Sequence, residues 1–248
     1  EGVGSLSIAG PYEIEGPGET ASRERIFICQ PEAASEQEAC AEEIIAALAR
    51  RAYRRPIIAD DLPPMMQLYR DAAAEGGFET GIRMALQKIL VSPEFIFRME
   101  FDPADVEPGG AHAVSDLELA SRLSFFLWSS IPDGELLNLA ENNQLSDPEI
   151  LEQQTRRMMA DPKSQSLVSN FTGQWLFLRN IARVQPDPVA FPNFDENLRQ
   201  ALQRETELLV ESMVREDSSV VDILDSDYTY MNERLAEHYG IPGVTGNH

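Results

Sequence analysis

The chain has 248 residues of which 43% are apolar, enough to bury a large core as one large or two modest domains. Its 42 acidic residues against 20 basic ones leave a formal charge of -22, so a phosphate-rich partner meets long-range repulsion, and neither nucleic acid nor an anionic membrane is expected to bind. No run of about 18 apolar residues occurs, so no membrane-spanning helix is expected.

The acidity reads first as a solvated surface that keeps the protein soluble, and second as a field that attracts a basic redox partner. Glu1 is not an initiator Met, no signal peptide precedes it, and the chain stops just after a glycine-rich turn at Gly246. It reads as a piece of a longer protein.

Residues 1–31 read as an extended, β-like segment, the end of a preceding β domain. Ser5 to Ile8, Tyr12 to Ile14 and Arg25 to Cys29 are the candidate strands, set apart by Gly10-Pro11 and similar punctuation. Three such strands cannot close a sheet alone. Cys29 and Cys40 are the only cysteines. Two cysteines so far apart, with no histidine near them, do not make a metal site, and C-x-x-C-H for covalent haem is absent. A disulfide is favoured over two free thiols, and it implies an extracytoplasmic protein.

A first helical module is expected over residues 32–101. Ser35 and Glu38 have capping-box spacing, and Ile44, Ile45, Leu48 and Ala52 form the stripe of a helix that ends before Pro56. Arg50, Arg51, Arg54 and Arg55 complement its C-terminal dipole and can pair with carboxylates; an anion or substrate-carboxylate site is the alternative. Asp60 or Asp61 opens a second helix ended by Gly76-Gly77, and Phe78 to Leu90 is a third. Residues 102–114, rich in Pro, Gly and acids, read as a linker in which His112 is a solvated loop residue.

A second module follows over 115–248, truncated at its C-terminal end. Ser115 and Glu118 again have capping-box spacing, and Leu119, Leu123 and Phe126 recur at helical intervals, so this helix is expected inside with others packed around it. Shorter helices are expected over 135–142, from a Ser146 cap to Asp161, and along the face Leu167, Val168, Phe171, Trp175 and Leu178. The sequon Asn170-Phe171-Thr172 falls on that face beside aromatics and reads as incidental. The longest helix runs from Asp195 to about Glu216, and the last one is capped by Gly240. Asp222, Asp225 and Asp227 lack the glycine and closing glutamate of a calcium loop and read as helix caps.

Glu205 falls at the middle of the long helix's apolar face, where a lone charge is costly. An ion pair with Arg122 is the structural expectation, and a tuned acid or metal ligand the functional one. His238 is a candidate axial ligand or general base, but no second histidine accompanies it, so a satisfied helix-end histidine is favoured. The weak catalytic candidates are therefore Glu205, Arg122 and His238.

The segments A-R-R-A-Y-R-R-P (49–56), A-L-Q-K-I-L-V-S-P-E-F-I-F-R-M-E (85–100), S-R-L-S-F-F-L-W-S-S-I-P-D (121–133), N-F-T-G-Q-W-L (170–176) and D-Y-T-Y-M-N-E-R-L-A-E-H-Y-G-I-P (227–242) resemble one set. They are similar to the tandem helical domains of unknown function in large secreted proteins of planctomycetes and related bacteria, often found with c-type cytochrome domains. The resemblance implies two consecutive helical modules outside the cytoplasm, and carries over no catalytic residue. With no haem-attachment motif and no cofactor expected within this chain, haem c belongs to an adjoining domain or a partner.

The expectation is thus a mainly α protein of two helical bundle modules with a short extended N-terminal segment. Its expected role is as an extracytoplasmic scaffold or docking module of a larger c-type-cytochrome-linked protein, partnered by its other domains or a cytochrome-type protein. The competing reading is an oxidoreductase or polymer-degrading enzyme that uses Glu205, Arg122 or His238 and passes electrons to a cytochrome. A pocket joining Glu205 to His238 favours the enzyme; a fully paired Glu205 with no cleft nearby favours the scaffold. Carbohydrate binding would require Trp128 and Trp175 to be exposed, and their helical context argues against it.

Overall fold

The computed structural model describes residues 18, 20–100, 106–107 and 110–247, and among these it has thirteen α-helices and no strand. The chain divides into two compact units, one ending at Phe97 and the other beginning at Arg98. The strands expected at 5–8 and 12–14 lie outside the described residues.

In the first unit, Thr20 accepts a hydrogen bond from the Arg23 amide and starts α1 (Ala21–Ile26), so the strand expected over Arg25 to Cys29 is corrected at its start. The alternation R-I-F-I-C resembles a strand, but the cap and the good helix formers before it decide the backbone of Arg25 and Ile26. The chain then reaches a 3-10 turn (Ala34–Glu36) and α2 (Gln37–Tyr53). Ser35 lies inside that turn, so its expected capping box with Glu38 does not form. A disulfide joins Cys29 to Cys40, with Cα atoms 5.6 Å apart, and pins the extended residues after α1 onto the first turn of α2.

Gly77, at φ 83°, lets α3 (Leu62–Gly76) end and α4 (Phe78–Leu90) begin with no linker between them. These helices pack closely because Gly81 lies directly against Tyr69: a Cβ there would come within 2.5 Å of the ring and 2.7 Å of the Tyr69 carbonyl. Ile44, Ile45, Met65, Tyr69, Ile82 and Ile89 fill the space among α2, α3 and α4.

Arg54 explains much of the A-R-R-A-Y-R-R-P segment. It sits in the left-handed region at φ 57°, and its buried guanidinium donates to the carbonyls of Ala52 (2.9 Å), Glu94 (2.7 Å) and Phe97 (2.9 Å). The end of α2 is thereby tied to α5 (Pro93–Ile96) and the residue after it. Arg55 pairs with Asp61. These two arginines stabilise carbonyls and a carboxylate of their own unit, contrary to an anion site.

The second unit begins with α6 (Asp116–Trp128), where the Ser115–Glu118 capping box is complete. Its buried face is wider than the expected stripe and turned off Phe126: Leu119 and Leu123 pack against the core as expected, Ala120, Ser124, Leu127 and Trp128 are buried, and Phe126 is 59% exposed. The reason lies in the partners. Trp128 Nε1 donates to the Met158 carbonyl at 2.9 Å, so the largest ring of the helix is buried with its N–H satisfied. Asp116 adds a buried carboxylate that accepts from the Leu145 and Ser146 amides at 2.7 and 3.2 Å.

Helices α7 (Gly134–Glu141) and α8 (Pro148–Ala160) complete this core with Leu136, Ala140, Leu145 and Met158. The cap of α8 is Asp147, which accepts from the Glu149 and Ile150 amides, and not Ser146. Asp133 caps α7 and pairs with Arg157 through two hydrogen bonds. The helix expected across 167–178 is broken into α9 (Gln165–Leu167), a π-helical turn (Val168–Thr172), α10 (Gly173–Trp175) and a 3-10 helix (Leu178–Arg183).

Asp195 then caps α11 (Glu196–Glu216), against which α13 (Glu233–Tyr239) packs through Leu198, Ala201 and Leu235. The short α12 (Asp222–Asp225) lies between them, with Val221 in its cap position, so the nearby aspartates are not the caps expected of them.

Candidate functional site

The apolar spacing of α11 points Glu205 toward α13, and the final helical turn brings Tyr239 to meet it. The Tyr239 hydroxyl donates to one carboxylate oxygen at 2.8 Å, and the Thr229 hydroxyl donates to the other at 2.7 Å. Burial, followed by the hydrogen bond to and charge of Glu205, pushes the Tyr239 phenol up to about 12. Glu205 also lines a cavity of about 400 Å³ with Arg204, Tyr230 and Asn232. It is therefore satisfied by two hydroxyls in place of a guanidinium.

Arg122 is elsewhere. It is exposed on α6 and forks onto Glu100, with Nε 3.0 Å from one oxygen and Nη2 against the other, so the expected Arg122–Glu205 ion pair does not form. Helical counting placed Arg122 near the core because it assumed Phe126 was inside. The rotation that buries Trp128 carries both residues out.

His238 lines a separate cavity of about 490 Å³ with Asp195, Arg234 and Glu237. Glu205 is not among the residues lining it, so the three candidates are not assembled around one space. Among the described residues, no group of three or more His, Cys, Asp or Glu is placed to hold a metal ion.

What the structure does assemble is a surface of aromatic rings. The π-helical turn shifts the residues after Val168 out of register with α-helical spacing, so Phe171 and Trp175 do not both reach the core. They stack on each other with centroids 5.7 Å apart, and the edge of Phe126 meets Phe171 at 6.4 Å. Phe171 and Trp175 are each 50% exposed and Phe177 is 72% exposed. Phe177 is also held at φ 57°, a left-handed conformation that costs a bulky residue on the order of 1–2 kcal/mol. Its own burial does not repay that cost.

Polar groups brace this face. Asn170 donates to the Ser129 hydroxyl at 2.7 Å and accepts from Arg179 at 2.9 Å, and Arg179 packs over Gly173. Thr172 is fully buried, and its hydroxyl has no hydrogen-bond partner among the described residues. The sequon side chains thus take part in the packing of the turn.

Residues 114–241, just over half of the chain, match the family PSD4, described as a protein of unknown function (DUF1592). The chain belongs to this family. Residues 40–100 match a second one, PSD5, also described as a protein of unknown function (DUF1595), so two such families occur in tandem. No curated protein and no solved structure matches the chain.

The PSD4 segment holds all three weak candidates, Glu205, Arg122 and His238, as well as the aromatic face; the PSD5 segment holds Cys40 and the Arg54 clamp. Sequence reading placed Phe126, Phe171 and Trp175 on inward faces and did not single out Phe177. The signal available was an excess: V-S-N-F-T-G-Q-W-L-F-L and S-F-F-L-W carry more large rings than one inward stripe of a helix can take.

Proposed function

We propose that this PSD4 chain is an extracytoplasmic docking module of a larger, c-type-cytochrome-linked protein, and that the face formed by Phe126, Phe171 and Trp175 receives its partner. The observation that carries this reading is the aromatic face itself. Adjacent large rings left half in water are a cost to the isolated chain, and rings of this kind supply most of the energy at protein interfaces.

The charge of -22 favours a partner with a basic surface, because the long-range field raises the encounter rate while the aromatic face supplies the short-range contact. The resemblance to secreted cytochrome-bearing proteins points to a c-type cytochrome, and the chain's charge to one with a basic surface. The disulfide is compatible with an oxidising compartment, and no described helix is long and apolar enough to cross a membrane. The enzyme reading looked for a pocket joining Glu205 to His238, and these two line different cavities; Glu205, though hydrogen-bonded through both oxygens, still borders a cavity of about 400 Å³, so the docking reading draws its support from the aromatic face.

Calorimetric titration of the chain with a basic c-type cytochrome tests it. Saturable binding is expected, weakened by added salt, and weakened about tenfold by Phe171→Ala, the effect of removing a moderate aromatic anchor. Absence of binding, or binding indifferent to Phe171→Ala, overturns the proposal.

A further inference from the structure

The Glu205 carboxylate receives two hydrogen bonds and no positive charge. The hydroxyls of Tyr239 and Thr229 each occupy one lone pair of one oxygen, and neither offsets the charge they stabilise. Among the described residues Glu205 has no ion pair: Arg204, the basic residue of the same cavity, is committed to the carboxylates of Glu207 and Glu211 at 3.4 and 3.6 Å. Glu205 is also part-buried, where an uncompensated charge acts more strongly than it does in water. The space it borders holds about 400 Å³, and Leu208, Tyr230 and Met231 give that space an apolar wall.

We infer that this cavity binds a small primary amine, with the ammonium on Glu205 and the carbon skeleton against Leu208, Tyr230 and Met231. An ammonium is a compact charge with three hydrogens to donate, so it fits the lone pairs that two hydroxyls leave open; a planar guanidinium asks for both oxygens at once. A metal ion asks for more ligands, and among the described residues no group of three or more His, Cys, Asp or Glu is placed to supply them. Tyr230 adds an aromatic residue, the kind to which cations are attracted. The chain's charge of -22 gathers cations everywhere on its surface, whereas the hydroxyl-braced carboxylate beside an apolar wall selects one position. None of these residues belongs to the aromatic face, so the inference stands apart from the docking reading.

Nitrogen-edited NMR titration of the chain at physiological salt, with putrescine and with glucosamine as probes, tests the inference. Saturable shifts are expected for the backbone amides of Glu205, Thr229 and Tyr239, while glucose, which lacks the ammonium, leaves them in place. Tighter binding of putrescine assigns the site to aliphatic amines and tighter binding of glucosamine to amino sugars; either order supports the inference. Glu205→Gln keeps the side chain's shape and an oxygen for the hydroxyls, and is expected to weaken binding about tenfold or more, the loss of one charge-assisted hydrogen bond. Leu208→Lys, which tethers an ammonium on the cavity wall one helical turn from Glu205, is expected to abolish binding without touching the carboxylate, and far-UV circular dichroism checks the fold of both variants. Glu43→Gln removes the same charge from an exposed position on α2 and should leave the affinity unchanged. No saturable shift with either amine overturns the inference. So does glucose shifting the same amides, Glu205→Gln binding as tightly as wild type, or equal weakening by Glu43→Gln.

Discussion

The residues that set this structure most firmly are polar ones in buried places. Arg54 gives three backbone carbonyls of the first unit their hydrogen-bond donors, and truncating it leaves them unsatisfied. Arg54→Ala is expected to cost on the order of 3 kcal/mol, read as a lower denaturation midpoint of the first unit, whereas Arg55→Ala should cost less because Arg55 is more exposed. Asp133 makes the corresponding contribution in the second unit. Burial raises its carboxyl, but the Arg157 guanidinium and the Leu136 amide outweigh burial and hold it below the ordinary aspartate value. A depressed carboxyl stabilises the fold above its unfolded value and loses that contribution as pH falls through the folded one. Asp133→Asn should therefore be less stable than wild type at neutral pH, with the difference closing as pH drops below the usual aspartate range in acid-titrated thermal melts. Neither role was legible in the sequence. The arginine cluster was visible, but that Arg54 turns back onto carbonyls 40 or more residues away depends on tertiary contacts that spacing does not encode.

At the scale of elements, capping chemistry and periodicity were readable where they act locally. Ser115 with Glu118, Gly76-Gly77 and Gly240 mark real boundaries because each satisfies or frees a backbone group of its own neighbourhood. Ser35 and Ser146 failed because the adjoining residues offer alternatives: a 3-10 turn in one case, and Asp147 directly before Pro148 in the other. The rotation of α6 and the break in 167–178 follow from packing. No local pattern says that Trp128, and not Phe126, has a carbonyl waiting for it, or that one extra residue is accommodated as a π turn. The close approach of α3 and α4 makes a sharp prediction. Gly81→Ala places a methyl group against the Tyr69 ring and carbonyl, so the helices must separate, and a loss of about 1–3 kcal/mol is expected from overpacking alone. Gly134→Ala, where nothing lies within 4 Å, should change thermal stability far less and serves as the control.

For the whole molecule, a mainly α chain with two families in tandem and a Cys29–Cys40 disulfide was readable from composition, motif order and cysteine count. The candidate site was not. Glu205, Arg122 and His238 were singled out because charged residues on apolar faces are rare, yet each found its own partners or surroundings, while the unpartnered features are aromatic and were assigned to the core. That exchange is what supports the proposal of an interaction module. Its two tryptophans provide a direct test, since Trp128 is buried and Trp175 is half exposed. Haem quenches tryptophan emission by energy transfer across the width of a small domain, so the decisive measurement is fluorescence of the chain titrated with a basic c-type cytochrome at physiological salt, beside a Trp175→Ala variant whose remaining Trp128 still reports binding. Saturable quenching of wild type, reversed by high salt and needing a severalfold higher cytochrome concentration in Trp175→Ala, is the result predicted. The same midpoint for the two proteins, or quenching that never saturates, would contradict the aromatic face as the docking surface.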